Sequence, residues 1–130
     1  MEGVFTLKDG AIFGNTTPVS GGGVLVNTKA FTMEGGAIYG NTAKWGGGVQ
    51  VEQSDSAFTL KGGRIQGGAD SDGFAKNTAT DEWAAFCVSK NPSAKWGAGG
   101  AYTKGGAAQS GGSDIGNSDD TLIAAPKGKR

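Results

Sequence analysis

Phe31-Thr32-Met33-Glu34-Gly35-Gly36-Ala37-Ile38-Tyr39-Gly40-Asn41-Thr42, followed after a short break by Gly46-Gly47-Gly48-Val49-Gln50-Val51, is the stretch whose reading decides the fold. Its words recur upstream as Phe5-Thr6-Leu7, Ala11-Ile12-Phe13-Gly14-Asn15-Thr16 and Gly21-Gly22-Gly23-Val24-Leu25-Val26. They recur downstream as Phe58-Thr59-Leu60-Lys61-Gly62-Gly63-Arg64-Ile65-Gln66. Self-similarity at a fixed period marks a tandem repeat.

The spacings predict the architecture. Phe5 to Phe31 and Ile12 to Ile38 are 26 residues; Phe31 to Phe58 and Ile38 to Ile65 are 27; Val24 to Val49 and Val26 to Val51 are 25. Inside each word the apolar residues alternate, as in Phe31-x-Met33 and Val49-x-Val51, which is the period of a strand. No helical stripe competes, and a glycine every few residues costs a helix about 1 kcal/mol each. Three short strands per repeat predict one coil of a three-sided parallel β-helix, an all-β solenoid. A leucine-rich repeat would need a Leu/Asn consensus, and a propeller blade about 40 residues.

Coils of such a solenoid stack at the inter-strand spacing of about 4.8 Å, so equivalent residues become neighbours. The predicted core columns are Phe5, Phe31 and Phe58; Leu7, Met33 and Leu60; Ile12, Ile38 and Ile65; Val24 with Val49; and Val26 with Val51. Asn15, Asn41 and Asn77 open the same turn in successive coils and are predicted to form a hydrogen-bonded ladder.

The third coil departs from the pattern. The expected Asn-Thr comes late, as Lys76-Asn77-Thr78-Ala79, so residues 67–76, including Gly68-Ala69-Asp70-Ser71-Asp72-Gly73-Phe74, read as an inserted loop. Trp83-Ala84-Ala85-Phe86-Cys87-Val88 then stands where Gly47-Gly48-Val49-Gln50-Val51 stood, with Phe86 and Val88 facing in and Cys87 out. Val51 to Val88 and Ile65 to Tyr102 are both 37 residues, which places Ala101-Tyr102-Thr103 as the second strand of a fourth coil starting near Ala94-Lys95-Trp96. The nearly identical words Ala43-Lys44-Trp45-Gly46 and Ala94-Lys95-Trp96-Gly97 support a different register; the spacing arithmetic favours the first. The expected organisation is therefore one domain over 1–125, with coils at about 4–30, 31–57 and 58–88 and a degenerate or capping coil at 89–125. Thr121-Leu122-Ile123-Ala124 is a last strand or cap, and 126–130 a tail.

Composition narrows the function classes. Glycine makes up 26 of 130 residues, about three times the ordinary share, at fixed offsets that mark turns and close approaches rather than a disordered linker. The 12 basic and 12 acidic residues balance, with no basic stripe, which argues against nucleic acid as a partner. No apolar run approaches the roughly 18 residues of a membrane span, so no membrane insertion by this segment is expected. No signal or anchor is read in the segment, and its start reads as that of a mature fragment or a recombinant product. Cys87 is the single cysteine and histidine is absent.

The words Phe31-Thr32-Met33-x-Gly35-Gly36-x-Ile38-x-Gly40-Asn41-Thr42-Ala43 and Gly46-Gly47-Gly48-Val49-x-Val51 resemble the repeats of bacterial surface proteins with a pectate-lyase-like right-handed single-stranded parallel β-helix. Large repeat lipoproteins and adhesin-like proteins of host-associated bacteria, spirochaetes among them, are the members they look most like. The match covers residues 4–66 clearly and 76–103 loosely, and the Gly-rich Thr103–Ala125 resembles a closing segment. The resemblance implies a right-handed solenoid of about four coils at the cell surface or outside the cell. It implies no particular ligand.

Candidate sites are few. Trp45, Trp83 and Trp96 each lie beside a charge near the edge of a strand word, where exposed indoles stack on sugar rings or else cover Gly-rich corners. Asp70-Ser71-Asp72-Gly73 resembles the start of a calcium loop but lacks the third oxygen ligand and the distal Glu; Asp114, Asp119 and Asp120 read as solubilising charges. Asn15-Thr16-Thr17 fits a glycosylation sequon, which implies a surface turn. Pectate lyases and polygalacturonases use recurring acidic residues on one face. Here Glu34, Tyr39, Gln50 and Glu52, then Lys61, Arg64 and Gln66, occupy the groove-facing positions, with no acidic pair on neighbouring coils. The expectation is thus a non-enzymatic structural or adhesive module without cofactor or metal, assembling with other copies of itself through open solenoid ends into a filament. The alternative is binding of host or matrix glycans through the tryptophans; a polysaccharide lyase is the third and weakest reading.

Overall fold

The computed structural model describes residues 5–26, 30–52, 57–69, 73–88, 93–97 and 100–126. Asp70, Ser71 and Asp72 of the insertion, residue 4 of the first coil and the tail from 127 onward lie outside them. Among the described residues the structure is all-β, with no helix and mostly parallel strands. No helix among them is long and apolar enough to cross a membrane.

Short alternating words form short strands, and the chain passes through the same ladders in the same order. The first pass contributes β1 (Phe5–Leu7), β2 (Ala11–Phe13) and β3 (Val24–Val26). The second contributes β4 (Ala30–Met33), β5 (Ala37–Tyr39), β6 (Thr42–Trp45) and β7 (Val49–Val51). The third contributes β8 (Ala57–Leu60), β9 (Gly63–Ile65), β10 (Thr78–Glu82) and β11 (Phe86–Val88). A full pass therefore has four short strands rather than the three expected. The fourth arises because the Asn-Thr word does more than turn: β6 pairs with β10 and bridges back to Thr16 and Ser20.

Pairing between passes is parallel and stacks like residues. Phe5 lies beside Phe31 and Phe31 beside Phe58; Leu7, Met33 and Leu60 follow suit, as do Ile12, Ile38 and Ile65. In the last ladder Val24, Val49 and Phe86 line up, and Val26, Val51 and Val88 beside them. Middle and later members are buried except Val88, which like Phe5, Leu7 and Ile12 on the first pass is partly covered. The phenylalanine rings stack at 5.2 and 5.3 Å, and Phe86 joins the column at 5.2 Å from Phe58, a spacing at which aromatic pairs attract beyond their area burial.

Asparagines connect the passes at the corner. Asn15 N–H and Nδ2 donate to Asn41 Oδ1 at 3.0 and 3.2 Å, and Asn41 N–H and Nδ2 donate to Asn77 Oδ1 at 2.9 and 3.2 Å. Their amides also donate to the carbonyls of Ile12, Ile38 and Gln66, which ties the corner backbone to the side-chain ladder.

The end of the chain differs from a fourth coil. β12 (Ser93–Trp96) continues the first ladder, with Ala94 beside Phe58 and Trp96 beside Leu60. Its Ala-Lys-Trp word is thus not equivalent to Ala43-Lys44-Trp45, which lies in another ladder. β13 (Gly100–Lys104) and β14 (Ala107–Gln109) then form an antiparallel hairpin, and β15 (Leu122–Pro126) inserts antiparallel between β9 and β13. Leu122, not Tyr102, sits beside Ile65; Tyr102 lies one strand further out, opposite Ala124. An open ladder edge accepts any strand with apolar residues on its buried face, and Leu122 and Ala124 supply them. The late apolar word is therefore a full strand, and Pro126 belongs to it rather than to a tail.

The expected open end is covered here. Ser113 O accepts from Trp96 N–H, Ser118 O from Ala85 and Phe86 N–H, and Asp119 O from Gly68 N–H. Thr121 Oγ1 takes Gly67 N–H at 2.9 Å, and Asp119 Oδ1 takes Ala84 N–H at 2.8 Å. Crowding tells the same story. A Cβ on Gly47 would stand 2.5 Å from Thr78 O and 2.7 Å from Ala84 O of the next pass, whereas the third pass carries Ala84 and Ala85 at the equivalents of Gly47 and Gly48. At another corner a Cβ on Gly35 would collide with Lys8 O of the preceding pass. The first pass carries Asp9 at the equivalent position. The side-chain-free positions thus occur where passes are stacked and end where the stack ends.

Candidate functional site: a groove between two tryptophans

Three passes meet along one outer edge to form an open groove of about 380 Å³, lined by Val19, Ser20, Trp45, Gln50, Glu52, Glu82, Trp83 and Cys87. Trp45 ends β6 and pairs with Glu82, which ends β10. The β6–β10 register shifts between Ala79 and Glu82; an irregularity of this kind re-aims the side chains that follow it. Gly46 N–H donates to Glu82 O and Gly47 N–H to Trp83 O, fixing the backbone under both indoles.

Trp83 is the unusual residue. Three residues before Val24 and Val49 stand Gly21 and Gly46, with φ of 69° and 66°; three residues before Phe86 stands Trp83, with φ of 70°. It is the one non-glycine residue with positive φ among those described. A side chain in this left-handed region costs roughly 1–2 kcal/mol. The strain lies at the mouth of the groove, where such outliers cluster when they serve a site.

The groove floor is polar but packed. Gln50 sits between Leu25 and Cys87 in the β3–β7–β11 ladder and is buried. Burial pushes the Cys87 thiol above its ordinary value of 9.0; a hydrogen bond with Gln50 opposes this, and the charges of Glu82 and Glu52 add to the rise. The thiol is thereby kept protonated at neutral pH and is a poor nucleophile. At the rim, Lys44 Nζ stands 4.8 Å from the Trp45 ring centroid, within cation–π range. Two partly exposed indoles beside carboxylates can stack on the apolar face of a pyranose while acidic oxygens accept from its hydroxyls.

Trp45 and Trp83 thus come together, but Trp96 does not join them. Its side chain is 1 % exposed and packs on Tyr102 at 5.3 Å, because its place above Leu60 points into the core; as a glycan contact it is withdrawn. Glu34 is exposed, and Tyr39 stacks between Phe13 and Phe74 on an outer face, with Arg64 over Phe74. Lys61 is exposed and Gln66 is buried, donating to Ala69 O. Glu34, Tyr39, Lys61, Arg64 and Gln66 are thus all absent from the groove lining. Gln50 and Glu52 do, together with Glu82 and Cys87, whose part in it the reading of single words missed. The signal was present in the alignment of Trp83-Ala84-Ala85-Phe86 with Gly46-Gly47-Gly48-Val49, which sets a tryptophan on a turn glycine.

A larger depression of about 520 Å³ runs between Gly67, Gly68 and Gly105 and the returning residues Asp119 to Thr121. Asp119 and Thr121 are already bonded to the third pass there, so it is the seam of the cap. No group of three or more His, Cys, Asp or Glu able to hold a metal occurs among the described residues. Comparison with protein-family models, with curated proteins and with solved structures found no match.

Proposed function

We propose that the chain is a right-handed parallel β-helix module that binds carbohydrate in the Trp45–Trp83 groove and serves adhesion at a bacterial surface or outside the cell. The fold reading is supported by passes that return to the same ladders in the same order with parallel pairing, since such crossovers are right-handed in about 98 % of cases. The location rests on the resemblance of the repeat words. The observation that carries the binding reading is Trp83 in a backbone slot that the repeat otherwise fills with glycine. A residue merely shielding a corner gains nothing from a strained position when the unstrained glycine suffices in two other passes.

A purely scaffolding role through end-to-end stacking is the second reading. The ends speak against it: residues 113–124 cover one face of the stack, and Asp9 stands on the other where a stacked pass needs glycine. The groove chemistry is that of binding rather than catalysis, with a protonated thiol and no imidazole.

Glycan-array screening followed by calorimetry on Trp45→Ala and Trp83→Gly tests the proposal. Each variant is expected to lose at least tenfold in affinity, about 1.4 kcal/mol, with the fold unchanged by circular dichroism. Absence of binding to any glycan class would remove the reading.

A further inference from the structure

Resting on the glycan reading, we infer that the groove selects sugars carrying a protonated amino group over neutral or anionic ones. Among the described residues, those lining it include two carboxylates, Glu52 and Glu82, and no basic side chain. They come from different passes, Glu52 directly after β7 and Glu82 at the end of β10, so the two charges reach the groove from separate strands. Both act on Cys87 in the groove floor, so the negative field of each reaches the interior of the groove. A uronate or sialylated glycan entering there meets like charge, which costs affinity.

The indoles add to the same preference. Trp45 already holds a cation, the Lys44 ammonium at 4.8 Å from its ring centroid. An indole face attracts an ammonium through its quadrupole, more strongly once water is displaced. A glucosamine unit stacked on the tryptophans would bring its own ammonium into this field, with Glu52 or Glu82 as hydrogen-bonding counter-charge. Lys44 then competes with the ligand for the same attraction. Its removal strengthens binding of a cationic sugar, although a surface lysine would ordinarily be regarded as neutral or helpful.

The experiment titrates the full chain, by calorimetry, with a β-linked glucosamine tetrasaccharide and with its fully N-acetylated counterpart of the same length. The free-amine form is expected to bind at least tenfold more tightly. The preference should shrink with added salt, fall in Glu52→Gln and Glu82→Gln, and grow in Lys44→Gln. Trp45→Ala and Trp83→Gly should weaken both sugars. Equal or tighter binding of the N-acetylated sugar, still dependent on the tryptophans, overturns the charge selection while leaving the glycan reading in place. Binding of the amine form that ignores both tryptophan changes overturns the inference in favour of bulk attraction to acidic surface. No binding of either sugar overturns it together with the reading on which it rests.

Discussion

Trp83 occupies, one pass later, the left-handed backbone position of Gly46: φ is 70° at the tryptophan and 66° at the glycine, each three residues ahead of the residue that stacks in the last ladder. The equivalence separates the contribution of the side chain from that of the backbone. Trp83→Ala and Trp83→Gly both delete the indole, but only glycine relaxes the turn. Trp83→Gly is therefore expected to be the more stable of the two by about 1 kcal/mol, the left-handed penalty less the extra freedom of glycine in the unfolded chain. Denaturant melts of the pair measure it.

The asparagine ladder is expected to have a steep gradient of cost. Asn41 is wholly buried and holds Asn15 on one side, Asn77 on the other and the Ile12 carbonyl. Asn41→Ala leaves several of these groups unpaired inside the protein, so a loss of about 2–4 kcal/mol is expected. Asn15→Ala, at the exposed end, should cost under about 1 kcal/mol. Equal losses in thermal melts would contradict the ladder as a cooperative core element.

In the apolar columns, position along the stack should decide the effect of one chemical change. Ile38→Ala removes a fully buried side chain packed between Ile12 and Ile65 and is expected to cost about 2–5 kcal/mol. Ile12→Ala, partly covered on the first pass, should cost clearly less. Chemical denaturation of the two variants gives the comparison directly.

Deleting residues 110–130 is expected to make the chain associate with other copies of itself. The segment satisfies the edges at Trp96, Phe86, Ala85, Gly67 and Ile65, and bare parallel edges pair with other chains. Light scattering across a concentration series should show growth in the truncated form and none in the parent. The same result would show that filament formation is suppressed by the cap rather than absent from the fold.

For Cys87 the direction follows from burial. The folded-state pKa is raised, so the thiol's contribution to stability is complete below the ordinary value of 9.0 and is lost as pH rises through the folded value. Alkylation near neutral pH is expected to be slower than for a free thiol, and Cys87→Ser should flatten the alkaline end of the stability profile. Iodoacetamide kinetics and melts between neutral and strongly alkaline pH check both.

The periodic words by themselves determined much of this protein. Phe, Ile and Val recurring at about 26 residues can all be buried only if successive repeats lie side by side in register, and alternation within each word leaves the strand as the fitting element. The columns and the asparagine ladder were legible for that reason. Where repetition stops, local signals no longer identify the partner. Ala94-Lys95-Trp96 copies Ala43-Lys44-Trp45 yet buries its indole, because the ladder a word enters depends on which edge is open. The reversal that inserts Leu122 beside Ile65 likewise carries no period, since an antiparallel cap needs only apolar residues on one face and acceptors opposite the exposed N–H groups. The groove was decided in the same way. Trp45, Glu52, Glu82 and Trp83 are spread over three strand ends, and only stacking the passes brings two indoles and two carboxylates to one edge, at a turn whose left-handed backbone the repeat had reserved for glycine.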